Sequence, residues 1–235
     1  MWIFRLQQEK KISDSSYFVT FTYDDEHLPY TDNNKYNKNR RPTLKYRDHQ
    51  LFMKKLRKRE KTSKLKYYAV GEYGDQFNRP HYHSILFNVT DINNIYQSWE
   101  GGRVQIDECN IKTIAYVAKY VQKQIKFKDR SDPREREKAL MSKGLGQNYL
   151  TPQMQKFMKT KLNPYLTHYN GQKIALPRYY KDKVYNDKEK LIISQKSLEH
   201  IETTEQFDSF HQENEWKKDQ YRQRDKTANY KRSKL

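Results

Sequence analysis

Cysteine is nearly missing from this chain: Cys109 stands alone among 235 residues. A single thiol excludes an intrachain disulfide and any cysteine-built zinc cluster, as expected of a protein kept in a reducing compartment. Apolar residues are sparse too, at 34% of the sequence, with a mean hydropathy of −1.23. No stretch approaches the roughly eighteen consecutive apolar residues that a membrane-spanning helix needs. The opening MWIFRLQQEKK acquires charge too early for a secretory signal. These absences predict a soluble intracellular protein, without a membrane partner, part of which packs loosely.

Acidic residues are in deficit. Against 47 Lys+Arg there are 29 Asp+Glu, a formal net charge of +18. A surplus of this size fits a polyanionic partner, with nucleic acid the foremost. What is abundant is tyrosine, 20 residues within an aromatic content of 14%. Aromatic faces set among Lys and Arg are what single-stranded DNA channels use, although most of these rings suit sheet packing and amphipathic surface.

The length allows one cored domain with an appendage. Residues 1–11 read as a short helix and Tyr17–Tyr23 as a strand, alternating and β-branched. Residues 24–41 read as a loop. After Thr43, Leu44, Leu51, Phe52 and Leu56 recur at helical spacing. The other face of that helix carries Lys54, Lys55, Arg57, Lys58, Arg59 and Lys61, either a solvated face or a contact for a DNA backbone.

Strands are predicted at Lys66–Glu72, His81–Val89 and Arg103–Asp107, with a helix at Asp91–Trp99. Between the first two, Gly74, Asp75, Asn78 and Pro80 mark a hairpin or short loop. A helix over Ile111–Phe127 carries an apolar stripe of Ile114, Val117, Ala118, Val121 and Ile125. This mixture predicts an α+β fold, a mostly antiparallel sheet with helices packed on it. Asp129–Lys138 reads as a charged linker, and GLGQN (144–148) and LPRYYK (176–181) as turns. GLGQN lacks the Gly-Lys-Ser/Thr ending of a phosphate-cradling loop. The expected organisation is a catalytic domain over 1–128, an accessory basic and aromatic region over 129–188, and a loose helical or disordered polar tail over 189–235.

Two groups of residues carry possible chemistry. His81 and His83 lie two apart on a strand and so project from one face. The hairpin brings Glu72 beside them. Two imidazoles and a carboxylate can hold a divalent cation and leave positions open for water or a phosphate oxygen. Taken alone, a His-X-His pair is more often two half-exposed strand residues. His27, His49, His168, His200 and His211 show no such pairing and receive no role. Tyr116 and Tyr120 lie four apart and share a helix face, with Lys119 between them. A phenol with a pKa near 10 attacks phosphorus only with assistance, and paired helical tyrosines are commonly core or interface residues.

In the order FVTFTYD (18–24), RPHYHSILF (79–87) and AYVAKYV (115–121), these segments resemble the motifs of the HUH endonuclease superfamily. The nearest likeness is to the replication initiators of small single-stranded DNA phages, the microviruses of gokushovirus type. It spans roughly residues 2–126 and fades over the GLGQNYLT and LPRYYK segments. The resemblance implies an HUH nuclease core. In it Glu72, His81 and His83 ligate Mg²⁺ or Mn²⁺, with Asp75 as the substitute acid. Tyr116 is the first nucleophile, Lys119 its Tyr-X-X-Lys companion and Tyr120 the second nucleophile. The first motif is expected to contribute a strand rather than chemical groups.

The implied activity is rolling-circle initiation in the cytoplasm of a bacterial host. One strand of a supercoiled double-stranded origin, or single-stranded DNA, is nicked through a 5′-phosphotyrosine link and later religated, with a host helicase and replication proteins as partners. The competing expectations are a transposase or relaxase of a mobile element, and a non-catalytic single-stranded nucleic-acid-binding protein.

Overall fold

The computed structural model describes residues 1–32, 34, 36–60, 64–74, 77–120, 131–167 and 173–197, apart from the side chain of Tyr120. The chain divides into two compact units, Met1–Thr151 and one that begins at Pro152.

The first unit is an α+β sandwich. Its elements are α1 (Trp2–Ile12), β1 (Ser16–Tyr23), α2 (Tyr46–Glu60), β2 (Lys66–Tyr73), β3 (Pro80–Phe87), α3 (Asn93–Ser98), β4 (Gly102–Glu108), α4 (Ile111–Tyr120) and β5 (Ala139–Met141). The strands form one five-stranded sheet in the order β4-β1-β3-β2-β5, and each described pairing is antiparallel. β3 therefore sits at the centre with β1 and β2 on its flanks.

Strand alternation sorts the core into two layers. Val19, Phe21 and Tyr23 of β1 join Tyr82 and Leu86 of β3 on one face. There they meet Phe52, Met53 and Leu56 of α2 with Ile95 and Trp99. Phe18 of β1 points the other way, with Val70, Ile85 and Phe87, toward Leu6 of α1 and Ile114 and Val117 of α4. Each fully buried side chain of this size contributes about 1.5–3 kcal/mol of transfer free energy.

Several sequence expectations shift here. α2 starts only at Tyr46, so Leu44 is buried just ahead of the helix, and Leu51 lies on the outer face at 36% exposure. The buried stripe is Tyr46, His49, Phe52, Met53, Leu56 and Glu60. Glu60 can be buried because its carboxylate accepts from the Thr90 backbone N–H and hydroxyl and from Asn94 Nδ2. The charged segment after residue 130 is fastened rather than free. The Lys138 N–H donates to Tyr46 Oη, and the Tyr73 N–H donates to Glu137 Oε1. It leads into β5, which pairs with β2 and had no counterpart in the sequence reading. The GLGQN turn is formed by Gly144 and Gly146, both at positive φ (72° and 71°). It is clamped to α1 by Glu9, which accepts from the Gly146 N–H, and by Arg5, which donates to the Leu145 carbonyl.

In the second unit, α5 (Pro152–Lys161), the paired strands β6 (Tyr165–Thr167) and β7 (Lys173–Ala175), and α6 (Arg178–Val184) follow in order. LPRYYK is the start of α6 rather than a turn. Pro177 occupies its N-cap, and Tyr180 and Val184, four apart, are its buried pair; Val184 lies beyond the segment on which the turn was based. Helical backbone continues over 187–197.

Candidate metal centre and tyrosine helix

The site lies on the α1/α4 side of the sheet, at the end of β3 where the chain enters it. β2 and β3 pair with Glu72 opposite His81 and Val70 opposite His83. β1 places Thr22 opposite His81 and Thr20 opposite His83. The turn between β2 and β3 is held by the Gly74 N–H donating to the Arg79 carbonyl. Arg79 in turn donates its guanidinium to the Tyr23 carbonyl at 3.1 and 2.6 Å, which ties the hairpin end to β1.

Glu72, His81 and His83 come together as the sequence spacing predicts, with one donor atom from each lying within 4.8 Å of the others. Glu72 Oε2 stands 2.9 Å from His83 Nε2 and 3.8 Å from His81 Nε2. Glu72 and His83 are each 6% exposed, while His81 is half-buried. Among the described residues the ionic contacts of Glu72 are with these two imidazoles. Behind His83, Thr20 Oγ1 lies 3.1 Å from Nδ1, and the Phe18 ring stacks on the imidazole at 5.7 Å and 12°. Gly74 leaves room beside the other histidine, since a Cβ there would lie 3.1 Å from His81 Cε1.

This donor set suits a divalent cation. If Nδ1–H of His83 donates to Thr20, its Nε2 lone pair faces a carboxylate oxygen at 2.9 Å. Two acceptors that close need a proton or a cation between them. Bonds of about 2.0–2.2 Å to nitrogen and oxygen span at most about 4.2 Å, so the widest pair must close by about half an ångström.

Tyr116 projects from α4 over the same group. Its ring centroid is 5.2 Å from that of His83 and 6.0 Å from that of Phe18, edge-on to both. It is 42% exposed. Lys119, one turn further along α4, is exposed. Tyr120 ends the helix, but its side chain lies outside the described residues, as do Asp75 and the stripe positions Val121 and Ile125. Tyr23, Tyr46, Tyr68 and Tyr82 are unsuited to attack, because burial pushes their phenols well above the ordinary value and keeps them protonated. Tyr116 is set apart from them by its exposure and its place at the histidines.

An open depression of about 310 Å³ adjoins the tyrosine, between the edge strand β4 and α4. Phe18, Thr20, His83, Gln105, Lys112 and Tyr116 are among its lining residues. The sequence reading missed Thr20 and Phe18. The signal was present, since both share strand alternation with Thr22, but their contact with His83 depends on the β1–β3 register.

The family model for the ORF2 type of replication-associated protein matches residues 16–125, from the start of β1 past the end of α4. The replication-associated protein ORF4 of Chlamydia phage 1 is 30% identical over 202 residues, covering 74% of this chain and 47% of its own length. The replication-associated protein VP4 of Bdellovibrio phage phiMH2K is 28% identical over 204 residues, 76% of this chain and 60% of that one. The replication-associated protein ORF2 of Spiroplasma virus 4 is 30% identical over 186 residues, 70% and 56% respectively. The chain thus spans about half the length of the curated relatives it matches.

Proposed function

Residues 16–125 of this chain form a replication-associated protein domain of the ORF2 family, and on that premise we propose that the protein initiates rolling-circle replication of a phage genome by nicking one DNA strand with Tyr116. The observation that carries this reading is the ring of Tyr116 lying edge-on to His83, 5.2 Å away, where His83 shares a carboxylate oxygen with His81. A nucleophile and a cation-holding group then face one phosphate.

Tyr116 Oη attacks the scissile phosphorus and loses its proton. The bond from phosphorus to the 3′ oxygen breaks, leaving a 5′-phosphotyrosine and a 3′-hydroxyl from which synthesis is primed. Glu72, His81 and His83 would hold Mg²⁺ or Mn²⁺, which when bound supplies polarisation of the phosphate and relief of charge on the departing oxygen. Lys119, three residues after Tyr116, steadies phosphate charge. After one round Tyr120 attacks the regenerated junction, and the 3′-hydroxyl released displaces Tyr116 to close the circle. Thr20 and Phe18 act as positioning residues, fixing the plane and tautomer of His83. The substrate is single-stranded DNA or a supercoiled origin in the cytoplasm of a bacterial host, with unwinding left to a host helicase. The three relatives, all phage replication-associated proteins, favour this reading over a transposase or relaxase.

The test is incubation of single-stranded origin DNA with Mg²⁺ or Mn²⁺, followed by denaturing electrophoresis for a protein–DNA adduct. The adduct is expected from the native chain and lost with a chelator. An adduct still formed by Tyr116→Phe/Tyr120→Phe would overturn the assignment.

A further inference from the structure

α2 packs on the sheet face opposite the candidate metal centre, and its outer surface is almost purely cationic. It carries Arg47, Lys54, Lys55, Arg57, Lys58 and Arg59 against Asp48 and Glu60. Both acids are committed elsewhere. Asp48 accepts from Tyr23 Oη and pairs with Lys45, and Glu60 is buried on Thr90 and Asn94. Three of the cations are also engaged: Lys55 pairs with Glu100, Arg59 donates to Gln97, and Arg57 lies over the Tyr67 ring.

Arg47, Lys54 and Lys58 differ. All three are exposed, and among the described residues none has an acidic side chain within ion-pair distance. At about 100° per residue, positions i, i+7 and i+11 fall within about 40° of one another, so the three form one row about 16 Å long. The row has a direction. The Lys45 N–H donates to Tyr82 Oη, His49 Nε2 lies 3.0 Å from Ser84 Oγ, and Glu60 accepts from the Thr90 N–H. α2 therefore runs alongside β3, from the end that carries His81 and His83 toward the far end of the sheet.

We infer that the outer face of α2 binds the phosphate backbone of duplex DNA flanking the nicking site, on the side of the sheet away from Tyr116. This rests on the proposed DNA-nicking function for the identity of the polyanion. The chemistry selects duplex over single strand, because the exposed face of α2 presents no aromatic ring on which an unpaired base could stack. It selects backbone over base readout, since a row of flexible cations neutralises phosphates without regard to sequence. Leu51 is the only apolar residue exposed on that face, which gives a membrane no apolar surface to receive.

The experiment uses the full chain, a blunt duplex of random sequence and a single-stranded oligothymidine, with affinity followed across a salt titration without added metal. The variant is Arg47→Gln/Lys54→Gln/Lys58→Gln, with unchanged circular dichroism and melting temperature as the folding check. The control Lys156→Gln/Lys159→Gln/Lys161→Gln removes the same charge from α5. The α2 variant is expected to lose about tenfold or more of its duplex affinity at moderate salt, and to lower the slope of log affinity against log salt by about 2 to 3. Its oligothymidine affinity and its cleavage of single-stranded origin DNA stay within about twofold of native. Unchanged duplex binding, equal losses on both DNAs, or an equal loss in the α5 control would each overturn the inference. Should the native chain fail to cleave at all, the nicking function falls, while the duplex measurement still reports on α2.

Discussion

Thr20 Oγ1 lies 3.1 Å from His83 Nδ1, across the pairing of β1 with β3. The contact leaves the other ring nitrogen directed at Glu72 Oε2. Hydrogen-bond partners of ligating histidines commonly govern metal affinity by about 10- to 100-fold. Thr20→Val keeps the shape of the side chain and removes its oxygen. Mn²⁺ affinity measured by calorimetry is expected to fall about tenfold or more in Thr20→Val and to recover in Thr20→Ser. Native affinity in the valine variant would show that Thr20 only packs.

Cation binding and nucleophilic attack are separable, because Tyr116 meets the centre only edge-on through its ring. Tyr116→Phe keeps the ring and is expected to bind Mn²⁺ within about twofold of native while forming no DNA adduct. His83→Gln is expected to lose both. If Tyr116→Phe also lost the cation, the phenol would itself be a ligand and the division of roles would fail.

The candidate site was legible because it is local. His81 and His83 follow from the period of a strand, and Glu72 from a hairpin whose turn residues are plain in the sequence. Thr20 was not, because its partner is set by a register between strands far apart in sequence. β5 is similarly tertiary in origin. Its three residues gain strand geometry from the open edge of β2, with no alternating pattern of their own. The stripe of α2 was misread at Leu51 because aliphatic character was counted and the buried polar residues His49 and Glu60 were not.

That correction has a measurable consequence. Phe52 is 1% exposed in the layer beneath the sheet, where its ring centroid is 4.5 Å from that of Phe21, whereas its neighbour Leu51 faces outward. Removing a buried phenyl ring leaves a cavity and costs about 3–5 kcal/mol. Phe52→Ala is expected to lose stability of that order in urea unfolding, and Leu51→Ala to change it by no more than about 0.5 kcal/mol. Comparable losses from the two would place Leu51 in the core after all.

His49 gives the stability a pH dependence of known sign. It is fully buried, with Nε2 3.0 Å from Ser84 Oγ. Burial, with a smaller contribution from the Arg57 charge, pushes its pKa down to about 3. The folded chain thus keeps this imidazole neutral at mildly acidic pH, while the unfolded chain protonates it near pH 6.5. The contribution of His49 is fully present above about pH 6.5 and is lost progressively as pH falls toward about 3, because the unfolded state binds the extra proton. At about pH 5 the loss is about 2 kcal/mol, from the distance below the unfolded pKa alone. His49→Gln removes the titration. Between about pH 7 and about pH 5 its unfolding free energy is expected to fall by about 2 kcal/mol less than that of the native chain, whatever the substitution costs at neutral pH. Parallel pH profiles for the two proteins would mean that His49 carries its proton in the folded state.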